Sequence, residues 1–187
     1  ILYIKDSSSI FATDIICAIK DKLSYLLVGT FVGMSDVVIY DLGLKLHGIV
    51  AKPYMLICTV MFPRLAKNRS IIQFKKIIVF SFILTGVIVI IINIFLHEIS
   101  LFLIGPLILS VSYVISNNLF MAFGYNRYMF YSILVTTSVY VICLLLAFLT
   151  GNMNTIMTFI TISLVSYSSE LIYRVWKMRF IINKEII

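Results

Sequence analysis

Charge is scarce in this chain. Of 187 residues only 12% are charged against 61% hydrophobic, and the mean hydropathy is +1.09. Soluble domains carry about 25% charged and roughly 45–50% apolar residues, so both figures depart from that class in the same direction. There is too little polar surface to cover a core in water, which excludes a soluble globular fold. Acids are scarcer still than bases, eight Asp and Glu against 15 Lys and Arg, for a net charge of +7. In a soluble protein that excess would point to nucleic acid. Here no nucleic-acid motif accompanies it, and the bases lie mostly in short segments between apolar runs, so no nucleic-acid partner is expected.

Reactive chemistry is equally sparse. The three cysteines, Cys17, Cys58 and Cys143, lie inside apolar runs without metal-ligand spacing, and they read as small buried hydrophobes. No nucleophile has a base at motif spacing, no glycine-rich loop is placed to cradle phosphate, and the histidines, His47 and His97, are isolated. No catalytic residue, metal or cofactor is therefore expected. A signal-peptide pattern is lacking too, and a chain that begins at Ile1 reads as a piece of a longer protein.

What is present is a series of long apolar runs. A helix needs about 20 apolar residues to cross the hydrocarbon core. Residues 77–96, 99–123, 128–150 and 153–173 meet that length, with 77–96 and 128–150 free of charge and the last interrupted only by Glu170. Gly105 and Pro106 predict a kink near the start of the 99–123 run. Residues 8–32 and 37–63 are also mainly apolar but carry charges, and beside such neighbours they read as two polar-lined membrane helices. The expectation is all-α: a polytopic membrane bundle of about six transmembrane helices.

Connection charges alternate as the positive-inside rule requires of consecutive spans. Arg64, Lys67, Arg69, Lys75 and Lys76 crowd one connection, His97-Glu98 has no Lys or Arg, Arg127 marks the next, and Gly151-Asn152 is uncharged. The tail carries Arg174, Lys177, Arg179 and Lys184. This places both termini, with Lys5, in the cytoplasm and the Gly33 region outside. Asp36 then belongs to an outer connection. The basic connection is first a topology signal and second a contact for lipid headgroups or pyrophosphate.

Ionisable residues inside a span are costly and mark functional-site candidates. Asp41, Lys45, Gly48, Lys52 and Thr59 are spaced to form one stripe of a helix, rising about 27 Å. Asp41 and Lys45 also suit an ordinary i,i+4 ion pair. Lys52 has no acid one turn away, and a cavity-lining cation is the better account of it. On the first span Asp14 and Asp21 share a face if the helix is unbroken, whereas Lys20, Asp21 and Lys22 cannot all share one. Either the helix breaks there around a cavity or the run lies at an interface. His47 falls off the stripe and reads as packing. Glu170, four residues before Arg174, reads as half of an interfacial salt bridge, and Asn117-Asn118 as interhelical hydrogen bonding.

Three segments resemble a known family: Tyr25 to Gly33, Val38 to Lys45 with Tyr40, Asp41 and Lys45, and Val60 to Lys67 with Phe62, Pro63 and Arg64. They are similar to the polysaccharide-export flippases of O-antigen biosynthesis, and Gly124 with Arg127 suits a short connection in that family. Gly43 stands where alanine is commoner, and His97 to Ser110 is shorter than the family's usual connection, as a local deletion would make it. The resemblance implies the C-terminal half of a twelve-helix transporter in a bacterial inner membrane, working by alternating access, with the N-terminal half as its partner. It implies an undecaprenyl-pyrophosphate-linked oligosaccharide as substrate, membrane lipids as surroundings, and a polysaccharide polymerase with its chain-length regulator as further partners. Lys20, Lys22, Lys45, Lys52 and Arg64 would bind the anionic substrate, while Asp14, Asp21 and Asp41 would balance charge or bind a coupling ion. Competing readings are a cation-coupled drug or metabolite exporter, which predicts dominant acids; an integral-membrane polysaccharide enzyme, which predicts a long outer loop or a histidine acid/base pair; and a structural helper subunit.

Overall fold

The computed structural model describes residues 2–68, 70–95 and 101–186. The chain is all-helical, with no strand among the described residues. Six helical rods follow in order: α1 (Leu2–Phe31), α2 (Met34–Asn68), α3 (Ile71–Phe95), α4 (Ile104–Val114) continued by a π-helical segment (Ile115–Phe120), α5 (Asn126–Leu149) and α6 (Ile156–Ile186). In hydrocarbon every backbone N–H and C=O must be satisfied within the segment, and a helix achieves this without partners. Five rods are long and apolar enough to cross a membrane; α1 falls outside that set because Asp14, Lys20, Asp21 and Lys22 interrupt it. The chain is a multi-pass α-helical membrane protein. Large apolar side chains stand exposed along α3 (Phe80, Ile83, Ile90, Ile94) and α5 (Ile142, Leu145, Leu149), a surface that lipid rather than water accommodates.

Several boundaries differ from the sequence expectation. The helix of α1 is continuous through Lys20, Asp21 and Lys22, so the broken-helix alternative does not hold. Pro63 lies inside α2, which runs on to Asn68, and α6 runs past Tyr173 to Ile186. Gly105 and Pro106 start α4 rather than kink it. Pro is accepted in a first turn because its missing N–H has no intrahelical partner there. The irregularity lies further on, where Ile115–Phe120 widens into a π-helix. The His97-Glu98 connection, part of the His97 to Ser110 stretch and Arg69 lie outside the described residues, as do the side chains of Lys5 and Lys184.

Two core clusters mark the two ends of the bundle. One joins Val28, Tyr40, Phe102, Tyr140, Leu144 and Phe159; the other joins Leu65, Phe74, Ile77, Leu119, Phe120, Phe123 and Ile181. The second gathers the end of α2, the start of α3, the π-helix and the last turns of α6. Gly33, Gly124 and Gly151 take positive φ in three of the turns, at 137°, 80° and 69°. Two glycines let side chains close onto backbone between α2 and the start of the α4 rod: a Cβ on Gly43 would stand 2.6 Å from the Phe102 ring, and one on Gly105 would stand 3.1 Å from the His47 ring. The Phe102 contact is a physical reason for glycine where the resembling family more often has alanine. His47 packs as expected, against Gly105 and 6.0 Å from the Tyr167 ring.

Candidate functional site

The stripe of α2 faces out of the bundle. Lys45, Gly48, Lys52 and Thr59 are exposed and Asp41 half-exposed, while the opposite face (Tyr40, Val50, Tyr54, Cys58, Leu65) is buried. On α1 the exposed Asp14, Ala18, Asp21 and Lys22 lie beside half-exposed Tyr25 on one side of the helix. The two faces meet where the Tyr25 hydroxyl donates to Asp41 Oδ1 at 2.9 Å, and the other Asp41 oxygen pairs with Lys45 Nζ at 2.6 Å. The result is a polar seam shared by α1 and α2, with Asp14, Asp21, Lys22, Asp41, Lys45 and Lys52 along it. The i,i+4 pair anticipated for Asp41 and Lys45 therefore forms, within the seam rather than instead of it. At the far end of the seam, Cys58, Thr59, Phe62, Tyr113, Asn117 and Met121 line a recess of about 160 Å³.

Two cations assigned to the site stand elsewhere. Lys20 turns inward, its Nζ 5.1 Å from the Tyr167 ring and 5.9 Å from that of Tyr140, so it is a cation–π partner within the bundle. Arg64 comes five residues after Thr59, about 140° round the helix from it. It faces α3 and lines a groove with Gln73 and Lys76. The seam thus holds three lysines and three aspartates, not the cationic path that Lys20 and Arg64 would have made.

A second polar centre lies inside the bundle, and the sequence reading misplaced it. Glu170 and Arg174 of α6 do pair at i,i+4, with Arg174 Nη2 2.7 Å from Glu170 Oε1, but their side chains are only 6% and 5% exposed. This is a buried centre about 21 Å along α6 from Ile156 rather than an interfacial bridge. The Ser112 hydroxyl donates to Glu170 Oε1 and the Thr136 hydroxyl to Oε2, each at 3.2 Å. Arg174 donates from Nε to Ser132 Oγ at 3.0 Å and from Nη1 to the Ser112 carbonyl at 2.8 Å. One ion pair thereby ties α4, α5 and α6 together. The i,i+4 spacing was visible in sequence, but its burial depends on Ser112, Ser132 and Thr136 from two other helices. Closer to the other end, Ser24 of α1 and the Tyr140 hydroxyl of α5 share a hydrogen bond of 2.5 Å, beside a cavity of about 20 Å³ lined by Tyr40, His47, Ser163 and Tyr167, room for about one water.

The Asn117-Asn118 pair divides. Asn117 lines the recess at the end of the seam. Asn118 is fully buried in the π-helix with its amide against the Cys58 thiol of α2, an interhelical polar contact that falls short of good hydrogen-bond geometry at both Oδ1 and Nδ2.

Charge is segregated along the bundle. Arg64, Lys67, Lys75, Lys76, Arg127, Lys177 and Arg179 all belong to the end with the Leu65–Phe74–Ile181 cluster. Arg174, assigned to the tail by sequence, is instead part of the buried centre. Lys177 at that end sits among aromatic rings, 4.1 Å from Trp176 and 5.0 Å from Tyr128, and Tyr125 stacks on Tyr128. Aromatic rings with bases are the composition of a membrane–water interface. Among the described residues, no three His, Cys, Asp or Glu side chains converge as metal ligands would. No protein-family model, no curated protein and no solved structure matches this chain.

Proposed function

We propose that this chain is one lobe of an alternating-access flippase for lipid-linked oligosaccharides, and that the α1–α2 seam is its face onto the transport path. The observation that carries this is the exposure of the α2 stripe over its whole length on the outside of a membrane bundle. Lipid cannot solvate Asp14, Asp21, Lys45 and Lys52, so that face requires a second protein body or water. A second lobe across the seam supplies both. The segments around Tyr40-Asp41, Lys45 and Phe62-Pro63-Arg64 supply the class of cargo, by resemblance to polysaccharide-export flippases. In this account the basic, aromatic-rimmed end is cytoplasmic, with both termini inside, in a bacterial inner membrane. Lys22, Lys45 and Lys52 attract the pyrophosphate, and the three aspartates keep the empty path near neutrality. The N-terminal half is the second lobe, and the polymerase with its chain-length regulator receives the product.

The three acids on the seam also suit a cation-coupled exporter of drugs or metabolites, the second reading. Replacing Lys52 with alanine in the full-length protein separates them. The flippase loses surface polysaccharide, whereas an exporter keeps it and loses coupled efflux when Asp14 or Asp21 becomes asparagine. Wild-type surface polymer in a well-expressed Lys52→Ala strain would sink the flippase reading.

A further inference from the structure

Between α2 and α3, away from the seam, lies a groove of about 630 Å³. That is within the range of small-molecule pockets, about 300–1,000 Å³. Its walls are apolar, from Leu56, Val60, Ile77 and Phe80, of which Leu56, Val60 and Phe80 are more than half exposed. At the end toward the α2–α3 turn it is rimmed by Arg64, Lys76 and Gln73. Arg64 is four residues before the last residue of α2 and Lys76 is five after the first of α3, so both bases stand within about two turns of the helix ends. Gln73 is also unsatisfied here, its Oε1 buried without a hydrogen-bond partner.

This is an amphiphile's outline in relief. Apolar walls run along the two helices for about 12 Å from Arg64 toward the middle of the bilayer, and the cations stand where those helices approach the headgroups. An apolar groove exposed in a bilayer is filled by an acyl chain in any case. The Arg64–Lys76 pair decides which lipid, because Arg offers a planar donor fork and Lys a point charge to a phosphate. A zwitterionic headgroup brings its own ammonium to the same place and gains less. The protonated and neutral forms of the occupant's headgroup do not enter, since a phosphodiester stays ionised.

We infer that the α2–α3 groove is a binding site for an anionic phospholipid, with one acyl chain along Leu56, Val60, Ile77 and Phe80 and its phosphate held by Arg64 and Lys76. This site is independent of the seam and of the transport reading. It fixes the α2–α3 hairpin to the leaflet at the basic end of the bundle.

The test is lipid retention by the purified full chain, released from nanodiscs of equal phosphatidylglycerol and phosphatidylcholine and counted by native mass spectrometry. Phosphatidylglycerol is expected to be retained in preference. With a charge-assisted hydrogen bond to the phosphate contributing roughly 1.5 kcal/mol, Arg64→Gln and Lys76→Gln each lower its affinity about tenfold, and together about a hundredfold. Val60→Trp fills the apolar wall, leaves every charge in place, and is expected to lower retention as the double variant does. Lys67→Gln with Lys75→Gln removes the same charge from the same hairpin outside the groove, and Lys52→Gln removes one from the seam. Neither is expected to change retention. Equal loss in the Lys67/Lys75 variant overturns the site in favour of diffuse headgroup attraction. Retention of both lipids alike, or no effect of Val60→Trp in a protein whose helicity is unchanged, also overturns it. Displacement of phosphatidylglycerol by an equimolar polyprenyl phosphate would reassign the groove to the transported lipid.

Discussion

Removing Arg174 tests the buried centre most sharply, because the structure predicts that one substitution is worse than two. Arg174→Ala takes away the cation paired with Glu170, together with the donors to Ser132 Oγ and the Ser112 carbonyl. Glu170 keeps its two hydroxyl donors from Ser112 and Thr136, but its charge is left buried and uncompensated. Breaking a buried pair in this way costs about 3–5 kcal/mol. Glu170→Gln strands the guanidinium instead and falls in the same range. The pair Glu170→Leu with Arg174→Met removes both charges at similar volume, which is often neutral or stabilising. The hydroxyls left behind are not all orphaned: Ser132 also donates to the Met129 carbonyl at 2.7 Å and Thr136 to the Ser132 carbonyl at 2.8 Å. Ser112 alone loses its acceptor, at about 1 kcal/mol. The double variant is therefore expected within about 1–2 kcal/mol of the parent and each single variant well below it. Reversible unfolding of the purified chain in mixed micelles, followed by far-UV circular dichroism, reads these differences directly. Additive losses, with the double variant as unstable as the two singles summed, would show that the pair is not coupled and refute the buried-centre account.

Three further outcomes follow from the packing. Gly43→Ala places a methyl group 2.6 Å from the Phe102 ring and is expected to cost about 1–3 kcal/mol in the same unfolding assay, with Phe102→Leu recovering part of it in the double variant; unchanged stability would mean that Phe102 does not lie this close to α2 at Gly43. Asn118→Leu exchanges a buried amide without proper partners for an apolar side chain of similar size, so stability should hold or rise by about 1–3 kcal/mol; a clear loss would reveal a hydrogen-bond partner at that site. Ser24→Ala removes the hydrogen bond to Tyr140 across α1 and α5 and should lower stability by about 1 kcal/mol, while Ser35→Ala, on the exposed first turn of α2, should leave it unchanged.

The architecture was legible in the sequence wherever one helix decides the matter alone. Length and hydropathy set the rods from α3 onward, and the spacing of Asp41, Lys45, Gly48, Lys52 and Thr59 placed the α2 stripe on one face. Boundaries were less legible. Charged or proline-bearing ends suggest helix stops, yet α2 passes through Pro63 and α6 through Lys177 and Arg179, since helical backbone continues into the interface where Lys and Arg reach water. Hardest to see were properties that depend on neighbours. Lys20 and Lys22 are two residues apart on one helix, but only the position of Tyr140 and Tyr167 sends one inward and leaves the other on the seam. Glu170 and Arg174 looked interfacial because nothing in α6 announces Ser112, Ser132 and Thr136.

The two polar centres make opposite demands on their surroundings. At Glu170–Arg174 every charged atom has a partner from the same bundle, and both side chains are buried. That arrangement needs nothing further and locks α4, α5 and α6 into one body. On the seam Asp41 is matched by Tyr25 and Lys45, but the stripe remains open along its length through Lys52 to Thr59. A membrane helix cannot present that face to hydrocarbon. The interior lock therefore makes α4–α6 a rigid support, while α1 and α2 carry the surface that requires a counterpart. In the proposed alternating-access reading, a lobe rigid on one side and polar on the other is what two bodies rocking about a shared, wet path require.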